Sequence, residues 1–363
     1  MIERNSIYPE VLSRLERREP LILATIIKAE GTTPQVPGAS ALFGERGLLL
    51  GTLGGGILEA DAQERALLCL KERSSRFYRF DLRGEDVAAG EPVCGGSVWI
   101  LADGSPDRQV ETWRRLADAL LAHRSGVLLT RIDRRPDDRA EIRRLWLDEK
   151  APDLENGFPF RRFAKELAQA RRQEQPILFQ EHPAAPQGDQ ALYFLEPISP
   201  LPRLLIVGAG HIGQAVARQA GWLGFEVTVV DDRPEYASRE RFGEGTALIV
   251  ADIGQTVREF PFSADTYVVI VTRGHSHDAE ALQACIHSSA AYIGMIGSRH
   301  KIALMRERFL KAGWASAEEW ERVHAPIGLP IGSRTVEEIA VSIAAELVQV
   351  RSRVREAKAG ETL

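Results

Sequence analysis

From Leu204 onward, short apolar runs alternate with segments whose apolar residues recur every three or four positions. Leu204–Val207, Val227–Val230, Thr246–Val250, Tyr267–Val271 and Tyr292–Ile296 have the length and β-branching of buried strands. Between the first two, Ile212, Val216 and Ala220 stand at steps of four and predict a helix. Thr335 and Glu338 read as a capping box for a last helix carrying Ile339, Ile343, Leu347 and Val350. Strands alternating with helices in this way predict a doubly wound parallel sheet over 203–363.

The first half is patterned differently. Ser6 is expected to cap a short helix with Ile7, Val11, Leu12 and Leu15 on one side, ended by Pro20. Leu21–Ile27 reads as a strand, and Ser40–Phe43 with Leu48–Leu50 as a hairpin. Leu58, Ala62, Ala66 and Cys69 form a helical stripe. Arg76–Leu82 and Ser97–Leu101 read as strands, and Val110, Trp113, Ala117, Leu120 and Leu121 as another helical stripe. Gly126–Ile132 is a strand, and the charge-dense stretch from Arg131 to Arg144 reads as a solvated loop. Beyond it only Pro176–Gln180 and Ala191–Leu195 read as strands. Pro197, Pro200 and Pro202 suggest a stiff linker. The expected organisation is therefore an N-terminal α+β domain over 1–196, a linker at 197–202 and an α/β domain over 203–363.

At 363 residues the chain is long enough for two or three cored domains. A net charge of −5 argues against nucleic-acid binding. No apolar run approaches a membrane span and the N-terminus does not read as a signal peptide, so no membrane role is expected. Cys69, Cys94 and Cys285 are far apart and form no disulfide framework, which fits a reducing cytoplasm.

The candidate chemistry lies in glycine turns. Gly208-Ala-Gly210-His211-Ile-Gly213, between a strand and a helix and followed by Asp231, is a Rossmann-type fingerprint. Gly208 allows the tight turn, Gly210 admits a pyrophosphate, and Gly213 lets helix and strand pack closely. Asp231 falls where a carboxylate accepts hydrogen bonds from a ribose diol, although Arg233 weakens the argument against a 2′-phosphate. The bare amides of Gly54, Gly55 and Gly56, before the helix with Leu58, suit either an anion or a ligand-free tight corner. Cys94, followed by Gly95 and Gly96, is either a reachable thiolate suited to a soft metal or a small plug in a turn. His275 and His277 are candidate acid–base groups, and Asp278 is a candidate cap for a helix over 279–287. Ser298, Arg299 and Lys301 suggest an anion contact, or simply a helix cap with surface charge.

Several separated motifs together resemble the XdhC/CoxI family, accessory proteins of bacterial molybdenum hydroxylases such as xanthine dehydrogenase. They are Ala29-Glu-Gly-Thr-Thr-Pro34 with Pro37-Gly38, Gly51-Thr-Leu-Gly-Gly-Gly-Ile-Leu-Glu59, and Val93-Cys-Gly-Gly96. In the second half they are Gly208 to Gly213, Val271 to Asp278, Tyr292 to Arg299, and His324 to Ile343. About 103–196 matches poorly and is where members differ. Gln35 stands where a basic residue is common, which argues against a charge contact from that loop. The resemblance implies a carrier that binds molybdenum cofactor (molybdopterin), shields it, presents it to a cysteine desulfurase for sulfuration, and inserts it into an apo molybdenum hydroxylase. It implies that Cys94 holds the molybdenum side of the cofactor. A homodimer is the default expectation. Two other readings compete: an NAD(H)-dependent oxidoreductase with His275 or His277 moving the proton, and a nucleotide-sensing regulator without chemistry.

Overall fold

The computed structural model describes residues 4–82, 95–148, 163–180 and 191–360. Cys94 lies outside them. The chain divides into two compact units, Met1–Pro200 and Leu201–Leu363.

The first unit contains α1 (Arg4–Glu16), β1 (Ile22–Glu30), β2 (Ser40–Gly44), β3 (Gly47–Gly51), α2 (Gly56–Glu72), β4 (Ser75–Asp81) and β5 (Ser97–Asp103). A short 3-10 turn, Pro106–Gln109, leads into α3 (Val110–Leu121), β6 (Gly126–Arg134) and β7 (Arg139–Asp148), then α4 (Ala164–Gln173), β8 (Ile177–Gln180) and β9 (Leu192–Ile198). The strands form one nine-stranded sheet in the order β3-β2-β1-β5-β4-β7-β6-β9-β8. Alternate residues of β1 go to opposite faces. Ile22, Ala24 and Ile26 pack with Leu58, Ala62, Ala66 and Cys69 of α2. Leu21 and Leu23 pack with Ile7 and Val11 of α1 and Trp113 and Leu116 of α3. Period 2 in the strand and period 3.6 in the helices thus meet on each face.

Four expectations for this unit are corrected. The stretch from Arg131 to Arg144 is not a solvated loop but most of the β6–β7 hairpin, paired from Gly126↔Asp148 to Arg134↔Ala140. In β7, Ala140, Ile142, Arg144 and Trp146 share the inward parity. A buried arginine at one of those positions disguised the alternation; it is neutralised by the equally buried Asp103. Second, α1 begins at Arg4, so Ser6 is inside the helix rather than its cap. Third, Leu121 is 82% exposed, and Leu116 and Ala119 take the inward places on α3. Fourth, β9 continues through Pro197, which pairs with Val127, into the expected linker. Pairing of β9 with β8 stops at Leu195, so the proline lies where one side of the strand has no ladder to break. Helix α4 had no expectation at all.

The second unit runs β10 (Arg203–Val207), α5 (His211–Trp222), β11 (Glu226–Asp231), α6 (Arg239–Phe242), β12 (Thr246–Val250), α7 (Ile253–Glu259) and β13 (Thr266–Ile270). It continues with α8 (His275–Cys285), β14 (Tyr292–Met295), α9 (Arg299–Lys311), α10 (Ala317–Glu321), β15 (Val323–His324) and α11 (Val336–Gly360). Its six strands are parallel, in the order β12-β11-β10-β13-β14-β15. That is the 3-2-1-4-5-6 order of the Rossmann fold, with the switch point between β10 and β13. One face packs Ile206 and Val229 against Val216 of α5 and Ile343 and Leu347 of α11. The other packs Leu205 and Ile270 against Val257, Leu282 and Phe309. The Thr335–Glu338 capping box forms: Glu338 N–H donates to Thr335 Oγ1 at 3.2 Å, and Thr335 N–H to Glu338 Oε2 at 3.1 Å.

Candidate functional site

In the first unit, three motifs far apart in sequence meet in one place. A Cβ added at Gly31 would stand 3.0 Å from Gly96 Cα and 3.1 Å from Gly95 O. One added at Gly96 would stand 2.4 Å from Glu30 O and 2.7 Å from Thr32 O. One added at Gly54 would meet the Pro34 ring at 2.7 Å. Only residues without side chains let these backbones approach so closely. Gly54, Gly55 and Gly56 all have positive φ (121°, 74° and 56°), the left-handed region that favours glycine. By contrast, a Cβ at Gly55 or Gly95 meets nothing within 4 Å among the described residues, so both border space those residues leave open.

The corner is held from beneath. Glu59 Oε2 accepts from Thr52 Oγ1 at 2.6 Å and from Leu53 N–H at 3.0 Å, and Gly54 N–H donates to Thr52 Oγ1 at 3.0 Å. Gly55 caps α2 without a side-chain bond, and among the described residues the Gly55 and Gly56 N–H groups have no acceptor. Two free donors therefore stand at the positive end of a 17-residue helix, next to Gly54, which packs on Pro34.

The other two cysteines are excluded from chemistry by burial. Desolvation pushes the Cys69 thiol up to about 11 and the Cys285 thiol to about 12. Neither is a thiolate near neutral pH.

In the second unit the polar tips of β10, β11, β13 and β14 share the carboxyl edge of the sheet. Gly208 has φ 115°, and a Cβ there would meet Val271 O at 2.6 Å. A Cβ at Gly213 would stand 2.0 Å from Gly208 O, so this glycine sets how closely α5 approaches β10. Gly210 caps α5 with nothing within 4 Å of an added Cβ, and His211 is exposed at the first helical position. His275 and His277 fall on the first turn of α8, and His277 is half-buried. Arg299 is exposed at the start of α9 with no ion pair among the described residues.

Three expectations change here. Asp231 is only 2% exposed and its carboxylate is already engaged. Oδ2 accepts from Ala209 N–H at 2.7 Å and Arg233 Nη2 at 3.0 Å; Oδ1 accepts from Arg233 N–H at 3.1 Å and Nε at 2.9 Å. It braces the glycine turn instead of presenting oxygens to a ribose. Burial alone would raise its carboxyl, but the hydrogen bonds from Arg233 and Ala209 outweigh that and hold it below the ordinary value. Asp278 is not the cap of its helix, since α8 starts at His275 with Gly274 as the cap. It is fully buried, accepts from Thr272 Oγ1 at 2.5 Å, and pairs with Lys301 Nζ at 2.6 Å. Lys301 is thereby committed to Asp278 rather than to an external anion, and Ser298 caps α9.

Two features escaped sequence reasoning. Arg273, beyond β13, pairs with Asp232, beyond β11, at 3.0 Å; their strands flank β10, so the pair crosses its tip. Glu346 of α11 accepts from the Tyr292 hydroxyl, from Gly328 N–H at 2.8 Å, and lies 3.1 Å from His324 Nδ1. Such pairings are tertiary and leave no spacing signal. Among the described residues no group of His, Cys, Asp and Glu could hold a metal ion by itself, and no helix is long and apolar enough to cross a membrane.

A parallel six-stranded sheet with a glycine turn at its switch point, and an antiparallel unit whose glycine motifs converge, define a two-unit α/β protein with a Rossmann-type second unit. The chain belongs to the XdhC and CoxI family. The model of that family matches residues 14–81, and the XdhC Rossmann domain matches residues 204–347. A probable xanthine dehydrogenase subunit of Bacillus subtilis is 30% identical over 351 residues, spanning 94% of this chain and 96% of that protein. The molybdenum cofactor insertion chaperone PaoD of Escherichia coli is 26% identical over 152 residues, 42% of this chain and 41% of its own. The crystal structure of a xanthine dehydrogenase from Bacillus halodurans superposes with a TM-score of 0.74 at 27% identity, covering 95% of this chain and 96% of that one.

Proposed function

We propose that this chain binds molybdenum cofactor as cargo, protects it, supports its sulfuration by a cysteine desulfurase, and inserts it into a xanthine dehydrogenase-type apo-hydroxylase. The observation that carries the reading is the meeting of Gly31, Pro34, Gly54 and Gly95–Gly96 around open space at Gly55 and Gly95. In this reading Cys94, joined to Gly95, supplies a thiolate to the molybdenum, a metal soft enough to take one. The free Gly55 and Gly56 amides receive an anionic group of the cofactor. The names of the B. subtilis and E. coli relatives support a role in maturing a molybdenum enzyme.

The Rossmann edge, with Gly208, Gly210, His211, Gly213 and Arg299, takes a nucleotide; Asp231 contributes by bracing the turn. An NAD(H)-dependent oxidoreductase remains the competing reading, because the strand order is that of dinucleotide-binding folds. The engagement of both Asp231 oxygens counts against it, since a ribose would have to displace Arg233. We propose a cytoplasmic homodimer as the working form.

The test is to purify the protein anaerobically from cells that make the cofactor, then measure molybdenum and oxidised pterin per chain. The proposal expects both in comparable amounts, and transfer of activity to an added apo-hydroxylase. Protein with neither, combined with sub-millimolar NAD(H) binding by calorimetry, would overturn it in favour of the oxidoreductase.

A further inference from the structure

At the far end of β5 from the glycine cluster lie two adjoining cavities, of about 330 and 440 Å³, that share Arg73, Ser105 and Arg108 in their walls. β5 runs from Ser97, next to Gly96, to Asp103, so the two places are separated by seven strand residues, about 20 Å. The cavities are therefore independent of the cofactor reading. Arg18 lines the smaller one.

Arg18, Arg73 and Arg108 form no ion pair among the described residues, whereas most arginines of this unit do. The acids in the same walls are largely spent. Asp103 is held by the buried Arg144 and accepts from Ser75 Oγ and Ser105 N–H; Glu141 pairs with Arg135, and Glu19 with Arg14. Asp107 and Asp137 remain against the three free guanidiniums, with Arg139 shared with Glu72 at 3.7 Å.

Backbone geometry supplies a second observation. Arg18 and Arg73 both have positive φ, 58° and 49°. Each follows a helix and closes the same reverse turn: Glu19 N–H donates to Arg14 O at 3.0 Å, and Ser74 N–H to Cys69 O at 3.1 Å. Glycine is the favoured residue at that position, because a Cβ is strained there. Two arginines stand where the fold asks for glycine, and both line one pair of cavities. His123 and Glu174 take the same left-handed position after α3 and α4, so what sets Arg18 and Arg73 apart is that they line the cavities.

From this the geometry points to a binding site for an organic phosphate. The phosphate lies at the shared wall between Arg73 and Arg108, whose guanidinium forks match its oxygens, with Ser105 beside it. The organic part lies over the apolar floor of the smaller cavity, formed by Leu15, Leu21 and Leu70.

Calorimetry of the full chain with pyrophosphate as the probe tests this, with citrate as a carboxylate control. Expected are a dissociation constant below about 1 mM for pyrophosphate, weakening with salt, and at least tenfold weaker binding in both Arg73→Gly and Arg108→Gln. Arg73→Gly removes the strained residue, so its melting temperature should hold or rise, which separates lost binding from lost folding. Absence of pyrophosphate binding, binding unchanged in the two variants, or tighter binding of citrate would each overturn the proposal.

Discussion

Gly95 and Gly96 are adjacent, chemically identical and immediately downstream of Cys94, yet alanine should be tolerated at the first and destabilising at the second. Neither has the positive φ that would strain alanine, so the contrast is purely steric. At Gly96 the new Cβ would lie 2.4 Å from Glu30 O and 2.7 Å from Thr32 O, where ordinary contacts begin near 3.4 Å. Both obstacles are backbone, so about 1 Å of chain displacement is needed, and overpacking of this kind costs roughly 1–3 kcal/mol. For a domain of this size that corresponds to a fall in melting temperature of roughly 3–10 °C. At Gly95 the added Cβ meets nothing within 4 Å, so the change should be within about 0.5 kcal/mol. Because the displaced segment leads directly to Cys94, Gly96→Ala should also lower bound molybdenum, while Gly95→Ala spares the fold. Differential scanning calorimetry and metal analysis on the two variants decide this. Equal melting temperatures and equal metal content in Gly96→Ala and wild type would refute the steric argument.

Other consequences follow from the same geometry. Asp103 and Arg144 are 1% and 3% exposed, so Asp103→Leu alone leaves a buried charge and should cost about 3–5 kcal/mol in urea denaturation; adding Arg144→Met should recover much of it. Burial would raise the Glu346 carboxyl, but hydrogen bonds from His324, Tyr292 and Gly328 N–H hold it below its ordinary value. A depressed folded-state pKa gives stability that is present above the unfolded value, near 4.3, and lost as pH falls through the folded one. Denaturation at pH 7, 5, 4 and 3 should show that loss only at the acid end, and Glu346→Gln should shrink it. With Cys69 and Cys285 pushed to about 11 and 12, brief alkylation of native protein at pH 8 should label Cys94 first, as peptide mass spectrometry would show; prior labelling of Cys69 would contradict the burial.

The parallel sheet was legible because each strand is a compact apolar run ended by a polar tip, and the Thr246–Val250 strand and the Leu58–Cys69 stripe appear where the spacing puts them. The middle of the chain was less legible. β7 carries Arg144 at an inward position, and no single-residue rule anticipates that Asp103, 41 residues earlier, will neutralise it. Site residues divided in the same way. Glycines forced by close approach, such as Gly213 and Gly96, are visible as glycines. The roles of Asp231, Asp278 and Lys301 depend on which partner the fold brings within reach, and Ala209 N–H, Thr272 and one another claimed them first.

The proposed carrier role turns on one thiol. Molybdenum per chain in wild type and Cys94→Ala, both purified anaerobically from the same cofactor-producing cells, tests it most directly. The account predicts that the variant keeps its melting temperature and loses most of its molybdenum. Equal molybdenum in the two proteins would contradict it.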